Sequence, residues 1–187
     1  MRFSLPVLAV ALLPFNATLA ADTYTIDPDH TYVTFAVSHL GMSTMHGRIN
    51  STGGSFTLDM DAKTGSITVD LDPASIDTGQ QKRDDHLRSP DFLNVVEFPE
   101  AGFASSSVSL TDTGGTVEGN LTLLGQSKPV TLTITGWNCG DHPFSKKPMC
   151  GFNAQATIKR SDWGVNYGIP AIGEELTLFV ELEGYKQ

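Results

Sequence analysis

Histidines and clustered carboxylates are the residues of this 187-residue chain that could carry chemistry. His39 and His46 offer two imidazoles for a metal, but a glycine break separates them, so strand alternation does not place them on one face. The run Asp84-Asp85-His86 offers acid and base groups, although on a short polar helix such residues are typical of a solvated face. The chain has no glycine-rich phosphate loop, no G-x-S-x-G and no H-E-x-x-H. We therefore predict no catalytic residue, no bound metal and no cofactor.

The first 20 residues have the pattern of a secretory signal peptide. Arg2 supplies a positive charge, Leu5 to Leu13 is apolar, and the small residues Ala17 and Ala20 follow. The apolar run is shorter than the ~20 residues that span a bilayer, and no other segment is long and apolar enough to cross one. We expect residues 1–20 to be removed and residues 21–187 to form a single exported domain.

The two cysteines, Cys139 and Cys150, are predicted to form a disulfide. An even number of cysteines in an exported chain favours this pairing, because the compartment is oxidising. The alternative is a metal site made by both cysteines and His142. Structural zinc sites usually pair ligands two to four residues apart, and no fourth ligand is evident here.

The charge of the chain argues against one class of partner. The formal net charge is −9 and becomes −10 once Arg2 is removed with the signal peptide. A strongly acidic chain repels phosphate backbones, so we expect no nucleic-acid partner.

Alternating apolar and polar residues predict eight or nine β-strands. The clearest run is Val33 to Ser38, and Gly53-Gly54 inside a later strand predicts a β-bulge. Antiparallel strands joined by hairpins avoid exposed edges by closing on themselves. We therefore predict an all-β fold, a single antiparallel eight-stranded barrel with one short helix, and a sandwich stays the alternative.

One stretch breaks the strand pattern and predicts the short helix. Thr78 and Gln81 have the spacing of a capping box, and Lys82 to Arg88 continues as helix, with Asp84 and Arg88 spaced for an ion pair. An apolar segment follows. We expect the helix and this segment to lie across one end of the barrel, with His86, Leu87 and Phe92 at its mouth.

The apolar face of nearly every strand predicts either a filled core or a cavity for a lipid tail, and the pattern alone does not separate the two. The side chains that we expect to line the interior are Phe35, Val37, Phe103, Leu123, Leu132, Ile134, Phe152 and Leu178.

Several separated motifs resemble those of the YceI family and cover almost all of residues 21–187. They are Tyr24-Thr25-Ile26-Asp27 with His30-Thr31, Phe35-Ala36-Val37-Ser38-His39-Leu40-Gly41, Arg83-Asp84-Asp85-His86-Leu87-Arg88-Ser89-Pro90-Asp91-Phe92-Leu93, Leu121-Thr122-Leu123-Leu124-Gly125 and Ile158-Lys159-Arg160-Ser161-Asp162-Trp163-Gly164.

The resemblance implies a lipocalin-like barrel, exported to the periplasm, that binds a polyisoprenoid or a similar long-chain amphiphilic lipid without catalysis. We also expect transient contact with a membrane, and a homodimer. A different class of function, a metal- or haem-associated redox accessory protein or enzyme that uses His39, His46 or His86, stays open as the alternative.

Overall fold

Nine strands, one α-helix and two short 3-10 helices make up the described part of the chain, residues 21–187, in the computed structural model. The signal peptide predicted for residues 1–20 lies outside the described residues. The strands are β1 (Asp22–Ile26), β2 (Tyr32–His39), β3 (Ser43–Asp59), β4 (Thr64–Asp77), β5 (Ala101–Leu110), β6 (Gly115–Leu123), β7 (Gln126–Asp141), β8 (Pro148–Lys159) and β9 (Ile172–Lys186); the helices are α1 (Gln81–Arg88) and the 3-10 turns Pro28–His30 and Arg160–Trp163.

Eight of these strands close into one antiparallel barrel. Each strand from β2 to β9 pairs with its sequence neighbour, β4 and β5 included although α1 lies in the connection between them, and β9 pairs back with β2. Strand β1 lies between the far halves of β3 and β9, beyond the end of β2. The predicted eight-stranded barrel is confirmed, and the sandwich is wrong because a single continuous ladder runs around the fold.

Alternation along the strands separates an apolar interior from a polar exterior. In β8, for example, Cys150, Ala154 and Ile158 are buried, whereas Asn153 and Gln155 are exposed. The bulge predicted at Gly53-Gly54 is present, since the pairing of β3 with β4 shifts register between Ser51 and Gly53. Apolar period-two patterning therefore sets which face of each strand turns inward.

The connections define two different ends of the barrel. At one end the chain turns through residues 40–42, 78–100, 124–125 and 160–171, and we call it the lid end. At the opposite end it turns through the short hairpins 60–63, 111–114 and 142–147. We call residues 81–100 the lid, because α1 and the segment after it supply Leu87, Phe92 and Leu93 to the cavity described below.

The helix begins differently from the sequence prediction. Its N-cap is Gln80, whose side chain accepts a hydrogen bond from the Arg83 amide at 2.6 Å. Thr78, the predicted cap, lies two residues earlier, where its amide donates to the Asp84 carboxylate at 2.9 Å. Asp84 is therefore buried against Thr78 and does not pair with Arg88, whose guanidinium instead contacts Asp85 at 3.1 Å. The capping-box and Asp84–Arg88 predictions are wrong because Thr78 lies in the loop after β4, where it binds Asp84 instead of capping α1.

Cys139 and Cys150 form the predicted disulfide. They are directly opposite each other in the ladder between β7 and β8, near the opposite end of the barrel. His142 lies in the hairpin between them, where its ring nitrogen accepts hydrogen bonds from the amides of Phe144 and Ser145. The alternative metal site is therefore wrong, because both thiols are consumed by the bridge.

Candidate ligand-binding site

The barrel interior holds a cavity at its lid end. The cavity has a volume of about 150 Å³, and apolar side chains from the strands and from the lid line it. Among them are Val33, Ile49, Leu71, Ile76, Leu93, Leu121, Val165, Ile172 and Leu176. A void lined in this way forfeits dispersion contacts unless an apolar guest fills it.

Two smaller apolar cavities continue from the first along the barrel. One of about 80 Å³ shares Val33, Leu71, Leu121 and Leu178 with the largest cavity. The other, of about 50 Å³, lies further towards the opposite end and shares Leu132 with the 80 Å³ cavity. Because each void shares wall residues with the next, the three form a series along the barrel.

Every side chain predicted to line the interior borders one of these cavities. Phe35, Val37 and Leu123 border the largest one, and Leu178 borders both the largest and the second. The remaining four lie deeper: Phe103 and Leu132 at the second cavity, and Leu132, Ile134 and Phe152 at the third. Their placement is compatible with ligand contact, and their role as ligand-binding residues stays a prediction.

The largest cavity also has walls that strand alternation does not reveal. Val165 comes from the connection between β8 and β9, which has no periodicity, Ile172 is the first residue of β9, and Leu93 comes from the lid. Buried Arg160 borders the same cavity. The sequence signal for Leu93, Arg160 and Val165 is their place in or beside the family-like motifs, since periodicity identifies only strand residues.

Arg160 holds the connection between β8 and β9 in place. Arg160 is 4% exposed, and its guanidinium donates to the backbone carbonyl oxygens of Gly173 and Val165, each at 2.8 Å. It also donates to Tyr167 at 2.9 Å and to Ile172 at 3.0 Å. Burial lowers the pKa of Arg160, and the nearby Glu174 carboxylate opposes that shift. An arginine remains charged at neutral pH even so, and the carbonyl dipoles solvate it.

Three rings pack against one another at the lid end, where Phe92 borders the largest cavity, and we call them the aromatic clasp: His86, Phe92 and Tyr167. The His86 ring lies 5.1 Å from that of Phe92 and 5.0 Å from that of Tyr167, edge to face in both cases. The rings of Phe92 and Tyr167 are 5.1 Å apart. His86 also hydrogen-bonds Asp91 at 2.8 Å. Of the three predicted mouth residues, Leu87 and Phe92 border the cavity and His86 lies behind Phe92.

The outer face of the barrel carries two open clefts of about 560 and 480 Å³. Both mix polar and apolar groups and lie open to solvent, so neither offers the enclosure that an apolar ligand needs. The interior series of cavities is the better candidate site although each of its members is smaller.

The histidines of the alternative function lie apart from one another. His46 pairs with Ala36 in the β2–β3 ladder, His39 ends β2 opposite Ser43, and His86 belongs to the clasp. Within residues 21–187, the one group of three side chains close enough to share a metal ion is Asp27, His30 and Glu183. Asp27 accepts a hydrogen bond from His30 at 2.8 Å and thereby raises the pKa of that imidazole. The metal or haem function predicted for His39, His46 and His86 gains no support from this arrangement.

No helix between residues 21 and 187 is both long and apolar enough to cross a membrane.

Comparison with known proteins places the chain in a family. The model of the YceI-like domain matches residues 24–184. A UPF0312 protein of Pseudomonas aeruginosa (strain LESB58) is 37% identical over 183 residues, which cover 96% of this chain and 95% of that protein. Protein YceI of Salmonella arizonae matches with the same identity and coverage, 37% over 183 residues, 96% of this chain and 95% of that protein.

Solved structures share the barrel. BcnA of Burkholderia cenocepacia superposes with a TM-score of 0.71 at 21% identity, over 84% of this chain and 98% of that one. The YCEI protein of Campylobacter jejuni gives a TM-score of 0.66 at 25% identity, over 80% of this chain and 90% of that one. A polyisoprenoid binding domain from Saccharophagus degradans gives 0.58 at 16% identity, over 88% of this chain and 98% of that one. The family-model match and the curated relatives together show that this chain belongs to the YceI family.

Proposed function

We propose that this protein binds a polyisoprenoid or a similar long-chain amphiphilic lipid in its barrel and acts in the periplasm as a carrier of that lipid, without catalysis. The observation that carries the proposal is the series of three apolar cavities along the barrel axis, which opens towards the lid end. The Saccharophagus degradans domain, a polyisoprenoid binding domain with the same fold, supports this class of ligand.

The cavities suit an apolar chain for a physical reason. Each methylene group that leaves water contributes about 0.8 kcal/mol, so a long tail gains affinity from many weak contacts. The walls are built from branched aliphatic and aromatic side chains, which offer such contacts along the whole series. The polar head would then remain near the mouth, where His86 of the clasp, hydrogen-bonded to Asp91, offers a polar side chain.

The lid is the part of the site that we infer to open. The clasp holds the lid to the connection between β8 and β9 through side-chain rings, because Tyr167 belongs to that connection and His86 and Phe92 belong to the lid. Ring pairs contribute only about 0.5–1.5 kcal/mol each, so they can separate and re-form without unfolding the barrel. Entry and exit of the lipid would therefore take place between Phe92 and Tyr167.

The disulfide supports the proposed location. Cys139 and Cys150 form a bridge, which is stable in an oxidising compartment such as the periplasm. The signal peptide predicted for residues 1–20 agrees with export, and the homodimer stays a prediction.

The direct test is to purify the protein from its own host under mild conditions and to record its native mass spectrum. We expect an added mass that organic solvent releases and that fragments as a chain of isoprene units or as another long-chain lipid. A mass equal to the bare polypeptide in every preparation, together with no uptake of added isoprenoid alcohol, would contradict the proposal.

A further inference from the structure

Large apolar side chains stand in solvent around the mouth of the cavity. Met42 is 87% exposed, Val96 is 94% exposed, and Leu40 and Tyr167 are 56% and 51% exposed. They belong to three different connections of the lid end, namely the β2–β3 turn, the lid, and the connection between β8 and β9. We call these four side chains the apolar rim.

The backbone at Leu40 argues that the turn does not require a leucine there. Leu40 has φ 55° and Gly41 has φ 68°, so both residues of this turn are left-handed. That region is unfavourable for a leucine, and asparagine or glycine suits it better. An exposed leucine here contributes neither to the core nor to the turn. Outliers of this kind are found at functional surfaces.

Two members of the rim are linked to the wall of the cavity, Tyr167 by a side-chain contact and Leu40 by a backbone hydrogen bond. The Leu40 amide donates to the Ala171 carbonyl at 2.7 Å, which joins the β2–β3 turn to the connection between β8 and β9. On that connection Tyr167 contacts Phe92, and Phe92 borders the cavity. Contacts between side-chain rings therefore connect Tyr167, through Phe92, to the apolar interior.

We propose that the apolar rim docks on the surface of a phospholipid bilayer, so that a lipid passes between bilayer and cavity without crossing water. The inference rests on the proposed function, since only a lipid-binding barrel needs such a contact. Side chains that enter the acyl boundary gain free energy in proportion to their buried apolar area. With a net charge that goes from −9 to −10 on loss of Arg2, the protein is repelled by anionic headgroups, so the surface it fits is zwitterionic.

The test is flotation of the protein, residues 21–187, with phosphatidylcholine vesicles. We expect the double variant Leu40→Asn, Met42→Ser to lower the vesicle-bound fraction about tenfold, since two apolar side chains leave the contact. Asparagine tolerates the left-handed turn, so the variant should fold as well as the parent protein. Replacing part of the phosphatidylcholine with phosphatidylglycerol should weaken binding of the parent protein.

Phe144 provides the matched control. It is 90% exposed, like Met42, but it lies in the hairpin between β7 and β8 at the opposite end of the barrel. Phe144→Ser should leave flotation unchanged. Equal flotation of the Leu40→Asn, Met42→Ser variant and the parent protein, or an equal loss in Phe144→Ser, would overturn the proposal.

Two further readouts separate this proposal from the proposed function. Retinol, a fluorescent isoprenoid alcohol, added from ethanol reaches the cavity without a bilayer, and the double variant should bind it as the parent protein does. If no form of the protein binds retinol, the proposed function fails, whatever flotation shows. If sedimentation finds a dimer of the parent protein that the double variant splits, a second copy covers the rim and the docking proposal is overturned.

Discussion

At the scale of single residues, Arg160 is a buried charged side chain that fixes the backbone beside the cavity. A buried guanidinium normally requires a carboxylate or several acceptors to offset the loss of water. Here four backbone carbonyls supply that role, and all four belong to residues 165–173. Because this stretch also contributes Val165 and Ile172 to the cavity wall, Arg160 shapes the site, and the four carbonyls engage its guanidinium where it borders the cavity.

Arg160→Met should therefore destabilise the protein by about 3 kcal/mol or more, since carbonyls that Arg160 now satisfies would stay buried without donors. Urea unfolding measures the change. Arg48→Met is the control, because Arg48 is exposed, lies over the face of Tyr32 at 3.8 Å from the ring centroid and donates one hydrogen bond to Asn50. We expect that control to lose no more than about 1 kcal/mol. Equal losses in the two variants would contradict the assigned role.

At the scale of elements, inward-facing glycines make room for phenylalanine rings. A Cβ at Gly47 would lie 2.4 Å from the Phe35 ring and 2.8 Å from the Thr78 methyl group, so the ring covers the glycine across the β2–β3 ladder. Phe103 covers Gly119 and Phe56 covers Gly184 in the same manner. This packing fixes the rings that border the cavities and leaves space beyond them.

Gly47→Ala should displace the Phe35 ring into the largest cavity. Overpacking of this kind costs about 1–3 kcal/mol, and the displaced ring would also reduce retinol binding. Gly140→Ala is the matched control, because nothing lies within 4 Å of a Cβ there and β7 gains a better strand former. Thermal unfolding and retinol titration of both variants check the prediction. A Gly47→Ala protein with parental stability and affinity would show that Phe35 does not depend on the glycine.

The lid is the second element with a testable property. Tyr167→Ala removes two ring contacts of the clasp, which together hold the lid by about 1–3 kcal/mol. We expect retinol release to accelerate about fivefold to a hundredfold while the unfolding midpoint changes little, since Tyr167 is half-exposed. Stopped-flow transfer of retinol to excess vesicles measures the rate.

Tyr185→Ala is the control for the clasp. Tyr185 contacts the ring of His142 at the opposite end of the barrel, 6.0 Å between centroids. Its loss should leave the release rate as it is. If Tyr167→Ala releases retinol at the same rate as the parent protein, the clasp is not a gate.

At the scale of the whole molecule, the fold was predictable because the strands obey period-two alternation. Val33 to Ser38 and the final strand both show it, and closure follows from the need to pair edges. The start of α1 was not predictable from the capping box, since Thr78 is bound to Asp84 and Gln80 takes the cap. Thr78 and Gln80 were both possible N-caps, and the contact of Thr78 with Asp84 left the cap to Gln80.

The interior of the site was predictable only in part. Alternation identified strand residues such as Phe35 and Leu178, which border the cavities. It could not identify Val165 or Arg160, because the connection between β8 and β9 has no repeating pattern and is held by hydrogen bonds from Arg160 to backbone carbonyl oxygens. Alternation also could not predict whether the interior is filled or vacant, since that depends on how closely the side chains interdigitate.

The most direct test of a lipid-binding interior compares two neighbouring residues of β9. Leu178 points inward and borders two cavities, whereas Phe179 points outward and is 36% exposed. Leu178→Trp should fill the junction of the cavities, and the protein purified from its host should lose most of its bound lipid while Phe179→Trp keeps it. Native mass spectrometry of the two variants, both shown to be folded by thermal unfolding, gives the answer. Equal lipid content in Leu178→Trp and Phe179→Trp would contradict binding inside the barrel.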